Sequence, residues 1–494
     1  MLFRSKLLAR YGIPERLILI IRNMHEGMKA KLNLDVGMSD EIPVNNGLRQ
    51  GCVKAPVLFN VFFAAVMFEA FHDVEENAGI GVRFRMAGKL WDVRHLQTKQ
   101  AREEFIRELC YADDCALVSH SQEELQLFMS RVNVASKKYG LTISFQKTEV
   151  MKQATGLDSK ANDEATTIEL EDDWVGVLKV VDNFTYLGST MSNDVSLDKE
   201  ISKRLNKAGT SFCNLWHRVW KPGGISLPTK MAVYRACVLS VLLYGAQTWN
   251  TYRRHIRRLE TFHHRCLRKI LNISWQEHVP TTEILRKAQL PSIDTMIVTA
   301  RIKWLGHVRR MPDHRYPKIL LMSELSEGKR QHSKPKQRWK DKVKEDLLKV
   351  NITPKSWWTS AENRVKWRKS IHNGAVRLEQ RKNAELEAKR SLRKMREAKE
   401  AQILRREDGF KCTHCTRVFP KVSSMRRHVT MSHTDRPELQ FLCPNCQRSF
   451  STASARTRHK CTLIVPTTLS CPTCGKTCKN KSGLTRHMKK CQDE

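Results

Sequence analysis

Apolar residues in the first 150 positions follow helical spacing in three segments. Pro14 precedes the first of them, at residues 15–26, as expected at a helix start. Residues 57–71 are almost continuously apolar and predict a buried helix. A Ser-x-x-Glu capping box opens the third segment, residues 121–139, and a glycine follows it. The pattern therefore predicts a compact unit with three helices.

Two short apolar runs interrupt this helical pattern within residues 108–118. They flank the adjacent acids Asp113 and Asp114 and predict two strands joined by a tight turn. Consecutive side chains of a strand point to opposite faces, so two neighbouring acids can serve one site only near a hairpin tip. A paired carboxylate suits a hard divalent cation such as magnesium. The alternative is an ordinary polar turn, because Asp is a common turn residue.

The remaining apolar patterns predict a largely helical second half. Short strands are predicted at residues 141–145 and 180–188, and a loop at the acidic residues 156–173. Residues 195–320 are predicted to be mostly helical. Residues 375–406 lack Pro and Gly and alternate in charge, which predicts a long exposed helix.

Charge adds a class of partner to this picture. The chain has 494 residues, with 87 Lys and Arg against 51 Asp and Glu, and a formal net charge of +36. Such an excess favours a polyanion, and nucleic acid is the usual one. Arginines also recur beside aromatic residues within residues 249–269, a pattern that suits backbone contacts and base stacking but also fits a solvated helix face. No stretch is long and apolar enough to predict a membrane span.

Cysteine and histidine spacing predicts zinc centres after residue 408. A Cys-x2-Cys-x12-His-x4-His pattern predicts that zinc is held by Cys412, Cys415, His428 and His433. A similar pattern near the end predicts a further site at Cys471, Cys474, His487 and Cys491. Between them, Cys443, Cys446, His459 and Cys461 form a weaker candidate, because only one residue separates the last two ligands.

Fingers that dock in a major groove present defined helix positions to the bases. The predicted nucleic-acid contacts are Lys421, Arg427, Arg458, Asn480 and Arg486. Fingers of this kind also bind RNA or proteins, so the sequence leaves their target open.

Several motifs, in order along the chain, resemble those of the reverse transcriptases of non-LTR retrotransposons. They are Arg49–Asn60, Tyr111–Asp114, Gly140–Thr148, Phe184–Gly188, Leu243–Trp249 and Arg301–His307. The resemblance implies that Asp113 and Asp114 are catalytic and hold magnesium. It implies nucleotide or template contacts for Gln50, Gly51, Tyr111 and Lys147, and it makes Phe184–Gly188 a primer-grip region. RNA template and DNA primer or target are the implied partners.

The sequence departs from this family at its start. The family's second set of catalytic carboxylates comes from an acidic motif upstream of the first helix, whereas the first acid here is Glu15 and the first Asp is Asp35. Ser144 also stands where the family usually has Asn. We therefore expect an N-terminally truncated palm, without a fingers subdomain or endonuclease, and an impaired polymerase.

Together these patterns predict an α+β protein with a partial right-hand polymerase palm, a helical thumb and connector, a long exposed helix and small ββα zinc fingers. The expected domains are the palm at 1–155, the thumb or basic helical region at 174–320, a linker with a small helical unit at 321–374, the long helix at 375–408, and fingers at 409–434, 441–462 and 469–492. The alternative function is a nucleic-acid-binding zinc-finger protein with a relic polymerase domain, or fingers that bind protein. The basic runs favour the nucleus, or otherwise the cytoplasm.

Overall fold

The computed structural model describes residues 2–34, 37–44, 47, 51–86, 90–153, 168–170, 176–327, 337–406, 409–419, 421–433, 469–470 and 477–478. The chain divides into two compact units, Met1–Leu386 and Glu387–Glu494. Helices and small sheets occur together, which agrees with the predicted α+β class. Every helix in the described residues is too short or too polar to cross a bilayer.

Helices account for most of the regular structure. They are α1 Leu2–Arg10, α2 Glu15–Asn23, α3 Ala55–Phe71, α4 Gln122–Lys138, α5 Asp198–Asn214, α6 Leu227–Val233, α7 Ser240–Leu242, α8 Arg253–Ile270, α9 Thr281–Ala288, α10 Ile293–Arg309, α11 Tyr316–Met322, α12 Trp339–Lys349, α13 Trp357–Ser360, α14 Arg364–Leu404 and α15 Val422–Ser432. Two π-helical turns, Trp216–Trp220 and Tyr234–Leu239, lie between α5 and α7. The helical character predicted for residues 195–320 is confirmed.

Strands are short and mostly paired in twos. They are β1 Lys29–Ala30, β2 Asn33–Leu34, β3 Gly37–Met38, β4 Ile42–Pro43, β5 Ile80–Phe84, β6 Arg102–Ile106, β7 Glu108–Tyr111, β8 Asp114–Leu117, β9 Glu149–Val150, β10 Glu169–Leu170, β11 Gly176–Val177, β12 Lys179–Val180, β13 Asn183–Tyr186, β14 Ser189–Ser192, β15 Ser323–Leu325, β16 Arg405–Arg406, β17 Gly409–Lys411, β18 Val418–Phe419, β19 Leu469–Ser470 and β20 Thr477–Cys478. The strand predicted over 180–188 is present but shorter, because β13 lies inside that range and turns back after Tyr186 to pair with β14 in a hairpin.

A three-stranded antiparallel sheet joins distant parts of the first unit. β5 lies between β6 and β15, with Ile80 opposite Ile106 and Ser323 opposite Phe84. Val82 and Ile106 are buried in this sheet. The segment just after residue 320 therefore contributes a strand to the sheet that precedes the acidic hairpin.

The core beneath that hairpin forms between α3 and α4. Phe71 and Phe128 meet edge to face with their ring centroids 5.4 Å apart, and both side chains are buried. Ser121 Oγ accepts a hydrogen bond from the backbone N–H of Glu124, which confirms the predicted cap of α4. The Glu124 carboxylate instead accepts a hydrogen bond from the backbone N–H of Gly79 at 2.7 Å. This bond connects α4 to the residue that precedes β5.

The strand predicted at residues 141–145 is wrong. Leu141 N–H donates to the Ser136 carbonyl at 2.8 Å, which closes the end of α4 after Gly140, a residue with a positive φ of 72°. Thr148 N–H then donates to the Ser144 carbonyl at 3.0 Å in a turn. The apolar side chains of Leu141 and Ile143 pack against the helices, but the backbone bonds locally and leaves no ladder for a partner strand.

Two further cores organise the helices after residue 195. One lies where α5 and α8 face each other and includes Ile201, Leu259 and Leu267. The other lies between α10, α12 and the first part of α14, and includes Trp357 and Trp367. The long helix begins at Arg364, before the predicted start, because this first part is buried in that core.

One glycine makes the packing of α14 on α10 possible. A Cβ placed on Gly306 would lie 2.0 Å from Nε1 of Trp367, closer than any real contact. The same indole nitrogen donates to the Ile302 carbonyl at 3.2 Å. Gly306 therefore lets the buried Trp367 ring approach the backbone of α10.

Candidate functional site

The acidic pair lies at the tip of the β7–β8 hairpin, as predicted. Tyr111 is directly opposite Asp114, which leaves Ala112 and Asp113 as a two-residue loop. Ala112 has a φ of 53°, whereas Asp113 is not in the left-handed region, a combination that matches a type II′ turn. Alanine in this region is strained, and such strain is often found at functional sites.

The tip presents its polar groups to solvent. Tyr111 is 68% exposed, and the side chains of Asp113 and Asp114 are also exposed. Tyr111 and Asp114 share one face of the hairpin because they are cross-strand neighbours. The carboxylates are thus accessible to a cation, and a hard divalent ion is the kind that carboxylate oxygens bind.

A tyrosine from the predicted primer-grip region supports this hairpin. The hydroxyl of Tyr186 donates to the Leu109 carbonyl at 2.7 Å. Burial raises the pKa of Tyr186 to about 12, so this hydroxyl stays protonated at neutral pH. The motif at residues 184–188, for which the sequence predicted no contact with the acidic pair, thereby holds β7, the strand that precedes Asp113 and Asp114.

The same region is anchored to α5 by a buried ion pair. Arg204 Nε donates to Glu200 at 2.7 Å, and both side chains are almost fully buried. The other carboxylate oxygen of Glu200 accepts from the backbone N–H of Thr190 in β14 at 2.8 Å. Arg204 also donates to the Gly188 carbonyl. The Glu-x3-Arg spacing on α5 was the only sequence signal for this anchor.

The other predicted nucleotide contacts are less constrained. Lys147 is exposed in the turn after Phe145, and Gly51 is exposed with a φ of 85°. Gln50 lies outside the described residues. Among the residues that the structure describes, no hydrogen bond or ion pair connects Lys147 or Gly51 to the acidic pair. Their roles remain predictions.

A third carboxylate does not join Asp113 and Asp114 in the part of the chain that the structure describes. Within the described residues, the structure brings three or more possible metal ligands together at one place, and that group lies in the second unit. Glu108, the nearest acid along β7, lies opposite Leu117. Burial raises the pKa of Glu108, which disfavours its charged form.

The second unit assembles the first predicted zinc centre. The ligand atoms of Cys412, Cys415, His428 and His433 all lie within 4.8 Å of one another. Cys415 Sγ is 3.2 Å from His428 Nε2, which in turn is 3.1 Å from His433 Nε2. Tetrahedral zinc bonds of about 2.0–2.3 Å place neighbouring ligand atoms roughly 3.3–3.8 Å apart. The four side chains therefore fit a zinc ion.

The short elements of this finger position the four ligands. β17 pairs with β18, and α15 packs on them through Met425, which is 2% exposed. The rings of Phe419 and His428 lie 4.8 Å apart. Lys421 and Arg427, two of the predicted base contacts, are exposed at the N-cap and along α15.

The remaining finger residues lie outside the described part of the chain. These are Cys443, Cys446, His459, Cys461, Cys471, Cys474, His487 and Cys491, together with the predicted contacts Arg458, Asn480 and Arg486. They remain predictions from spacing.

An arginine-lined groove lies between α5 and α8. It has a volume of about 660 Å³, and Arg257, Arg258 and Arg265 line it from α8. Phe262 and Gly209 form part of its apolar wall. Neither Arg257 nor Arg265 makes an ion pair with an acidic side chain in the described residues, so their charges are available to an anion.

Comparison with protein families identifies both kinds of domain. Residues 2–191 match the reverse transcriptase (RNA-dependent DNA polymerase) family, a segment that contains the acidic hairpin. This segment therefore resembles a reverse transcriptase domain. Residues 469–490 match the C2H2-type zinc finger, which covers most of the third predicted finger.

Two curated proteins that this chain resembles are named after mobile elements. A putative uncharacterized transposon-derived protein of Caenorhabditis elegans is 22% identical over 273 residues, which cover 53% of this chain and 94% of that protein. The RNA-directed DNA polymerase from the Drosophila melanogaster mobile element jockey is 18% identical over 320 residues, 63% of this chain. The matched region spans only 31% of the jockey polymerase. These matches support the resemblance to a non-LTR retrotransposon reverse transcriptase with a zinc finger.

Proposed function

We propose that the reverse transcriptase domain of this chain is an RNA-directed DNA polymerase domain in which Asp113 and Asp114 hold magnesium. The observation that carries the proposal is an exposed carboxylate pair, at the tip of a two-residue hairpin loop, inside the matched family segment. Magnesium would supply charge stabilisation at a transferring phosphate. The chain's own part is to hold the ion on Asp113 and Asp114, with Tyr186 and the Glu200–Arg204 pair fixing the strands around them.

We further propose that this polypeptide alone extends primers poorly. Two-metal nucleotidyl transfer needs carboxylates from two places, and the described residues supply one adjacent pair. An incompletely held metal forfeits several kcal/mol of charge stabilisation, and each ~1.4 kcal/mol is a factor of ten in rate.

Metal binding and primer extension test these two proposals separately. The change is Asp113→Ala in the purified full chain, with Asp40→Ala as a control that removes an exposed acid elsewhere. We expect Mn²⁺, measured by electron paramagnetic resonance as a magnesium substitute, to bind the control but more weakly to Asp113→Ala. Unchanged Mn²⁺ binding in Asp113→Ala would contradict the metal site.

Primer extension on an RNA template measures the activity. We expect the unmodified chain to extend little more than Asp113→Ala does. Robust extension that depends on Asp113 would disprove the impairment while supporting the polymerase assignment.

We propose that the arginine-lined groove and the fingers bind nucleic acid. The groove is supported by unpaired positive charges beside an aromatic ring, and the first finger by exposed Lys421 and Arg427 on its helix. The finger contacts also support the alternative, a nucleic-acid-binding zinc-finger protein with a relic polymerase. The basic composition supports a nuclear location.

Replacing two groove arginines should weaken binding in a salt-dependent way. For Arg257→Ala with Arg265→Ala, we expect the negative slope of log K against log salt on duplex DNA to become shallower by about 1.8, because each phosphate contact contributes roughly −0.9. Fluorescence anisotropy measures this slope. The control is Arg286→Ala with Lys287→Ala on α9, which removes the same charge outside the groove. Equal slopes for the two double variants would argue against the groove.

A further inference from the structure

Two cysteines lie directly opposite each other at the base of the acidic turn. Cys110 in β7 is the cross-strand partner of Cys115 in β8, and their sulfur atoms are 2.6 Å apart. Both are free thiols in this structure. Neither has a role in the metal-binding function proposed above.

The hydrogen-bond pattern of the hairpin shows which type of pair they form. Tyr111 and Asp114 close the two-residue loop and are therefore a hydrogen-bonded pair. Val118 N–H donates to the Arg107 carbonyl at 2.8 Å, which places hydrogen bonds at every second pair along the hairpin. Cys110–Cys115 lies between Tyr111–Asp114 and the next hydrogen-bonded pair along the hairpin. It is therefore a non-hydrogen-bonded pair.

This pair type has the backbone spacing that a disulfide requires. Cα atoms of a non-hydrogen-bonded antiparallel pair are about 4.5 Å apart, within the roughly 4.4–6.8 Å range of disulfide bonds. The register therefore allows a bond between Cys110 and Cys115 without a change of strand pairing. A hairpin held on one side by Tyr186 and on the other by the helical core keeps the two sulfur atoms together.

Access favours Cys110 as the first thiol to react. Cys110 is exposed, whereas Cys115 is half-buried and packs against the core of α3 and α4. An oxidant in solution therefore reaches Cys110, and Cys115 is placed to complete the reaction from inside the hairpin.

We propose that Cys110 and Cys115 are a dithiol modification site, which low-molecular-weight disulfides oxidise to a disulfide across the hairpin. The Cys110 sulfur attacks one sulfur of glutathione disulfide, which forms a mixed disulfide and releases one glutathione thiol. The Cys115 sulfur then attacks the Cys110 sulfur, forms the Cys110–Cys115 bond and releases the second glutathione thiol. Two protein thiols are oxidised and one glutathione disulfide is reduced, so atoms and electrons balance.

The bond would constrain the segment that carries the acidic pair. It would lie one residue from both Tyr111 and Asp114 and close a covalent ring around Ala112 and Asp113. An effect on metal binding rests on the proposed function, whereas formation of the disulfide does not.

Peptide mass measurement tests the site in the zinc-loaded 494-residue chain. Trypsin releases residues 108–131 as one peptide that contains Cys110 and Cys115 and no other cysteine. After incubation with glutathione disulfide and alkylation of the remaining thiols, we expect this peptide to be unalkylated and about 2 Da lighter than the dithiol form. Exposed Cys213 and Cys237 should carry glutathione adducts under the same conditions.

Two controls distinguish a fold-dependent site from ordinary thiol chemistry. In Cys115→Ser, we expect Cys110 to stop at the glutathione adduct, as Cys213 does. In guanidinium-unfolded protein, we expect the ratio of intrapeptide disulfide to adduct to fall by about tenfold, because the hairpin no longer holds the sulfur atoms together. The proposal would be overturned by glutathione adducts on both Cys110 and Cys115 of the folded protein, or by an equal ratio in folded and unfolded protein. These readouts need neither magnesium nor polymerase activity, so they are independent of the proposed function.

Discussion

Cys412→Ser should unfold the first zinc finger while leaving the larger unit of the chain folded. The finger has a small apolar core, centred on Met425 and Phe419, and the four ligand side chains converge beside it. A domain of this size cannot fold on apolar burial alone. Structural zinc contributes about 10–16 kcal/mol in such fingers, far more than Met425 and Phe419 can supply. Loss of one thiolate ligand therefore removes most of the stabilising free energy.

Hydrogen exchange in the full chain measures this effect by region. We expect amides of residues 409–433 to lose protection in Cys412→Ser and after treatment with a zinc chelator, while α8 and α10 keep theirs. Arg427→Ala is the matched control, because its exposed side chain lies on the same helix but is not a ligand. It should weaken nucleic-acid binding without changing exchange. Protection that survives chelation would show that the four side chains do not hold a structural metal.

The parts of the fold that the sequence predicted correctly are those set by local spacing. The tip at Asp113 follows from two short apolar runs, and the finger follows from the distances between its Cys and His residues. In both cases the interacting groups are close in sequence, so the pattern itself fixes the geometry. The cap of α4 by Ser121 is a third example.

Contacts between distant segments were not predictable in this way. The pairing of Ser323 with Phe84 has no local signature, because a three-residue strand beside a polar linker gives no periodicity. The strand predicted at 141–145 failed for the converse reason. Its apolar residues serve helix packing, and alternation alone cannot distinguish the two uses.

The candidate site shows the same division. Asp113 and Asp114 were found from the sequence, but the support from Tyr186 depends on a hydrogen bond that spans 77 positions. The Glu200–Arg204 pair had a spacing signal on α5, yet only the fold shows that it anchors β14. The resemblance supplied the motif at 184–188 and not its contact with the hairpin.

Two other motifs that resemble the retrotransposon family meet at a buried arginine. Arg301 lies in the motif on α10, and its guanidinium donates to Asp346 on α12 at 2.6 Å. It also donates to the carbonyl of Trp249, in the other motif, at 3.0 Å and to Thr251 Oγ1 at 3.1 Å. Both charged side chains are 0% exposed. These motif residues therefore hold the helices together, which accounts for them without a direct role in chemistry.

Asp346→Ala should accordingly destabilise the helical part of the first unit severely. The variant leaves the Arg301 charge buried and unpaired, and breaking a buried pair in this way costs about 3–5 kcal/mol. Urea unfolding followed by tryptophan fluorescence measures the change, because Trp249, Trp357 and Trp367 are all buried in this region. Lys349→Ala is the control. Its ammonium lies 3.5 Å from the same carboxylate but is partly exposed, so its removal should cost less than about 1 kcal/mol.

The double variant Arg301→Met with Asp346→Leu separates the cost of an unpaired charge from the value of the pair. Both replacements are apolar, Met is close to Arg in size and Leu has the same branching as Asp, so we expect most of the lost stability to return, as it does when buried ion pairs are replaced by packed hydrophobic residues. The Trp249 carbonyl and Thr251 hydroxyl would still lose a donor, at about 1–3 kcal/mol for each buried group left unsatisfied, which limits the recovery. A smaller change in the free energy of unfolding for Asp346→Ala than for Lys349→Ala would contradict this account. It would mean that water reaches Arg301 and that the buried ion pair is not what joins α10 to α12.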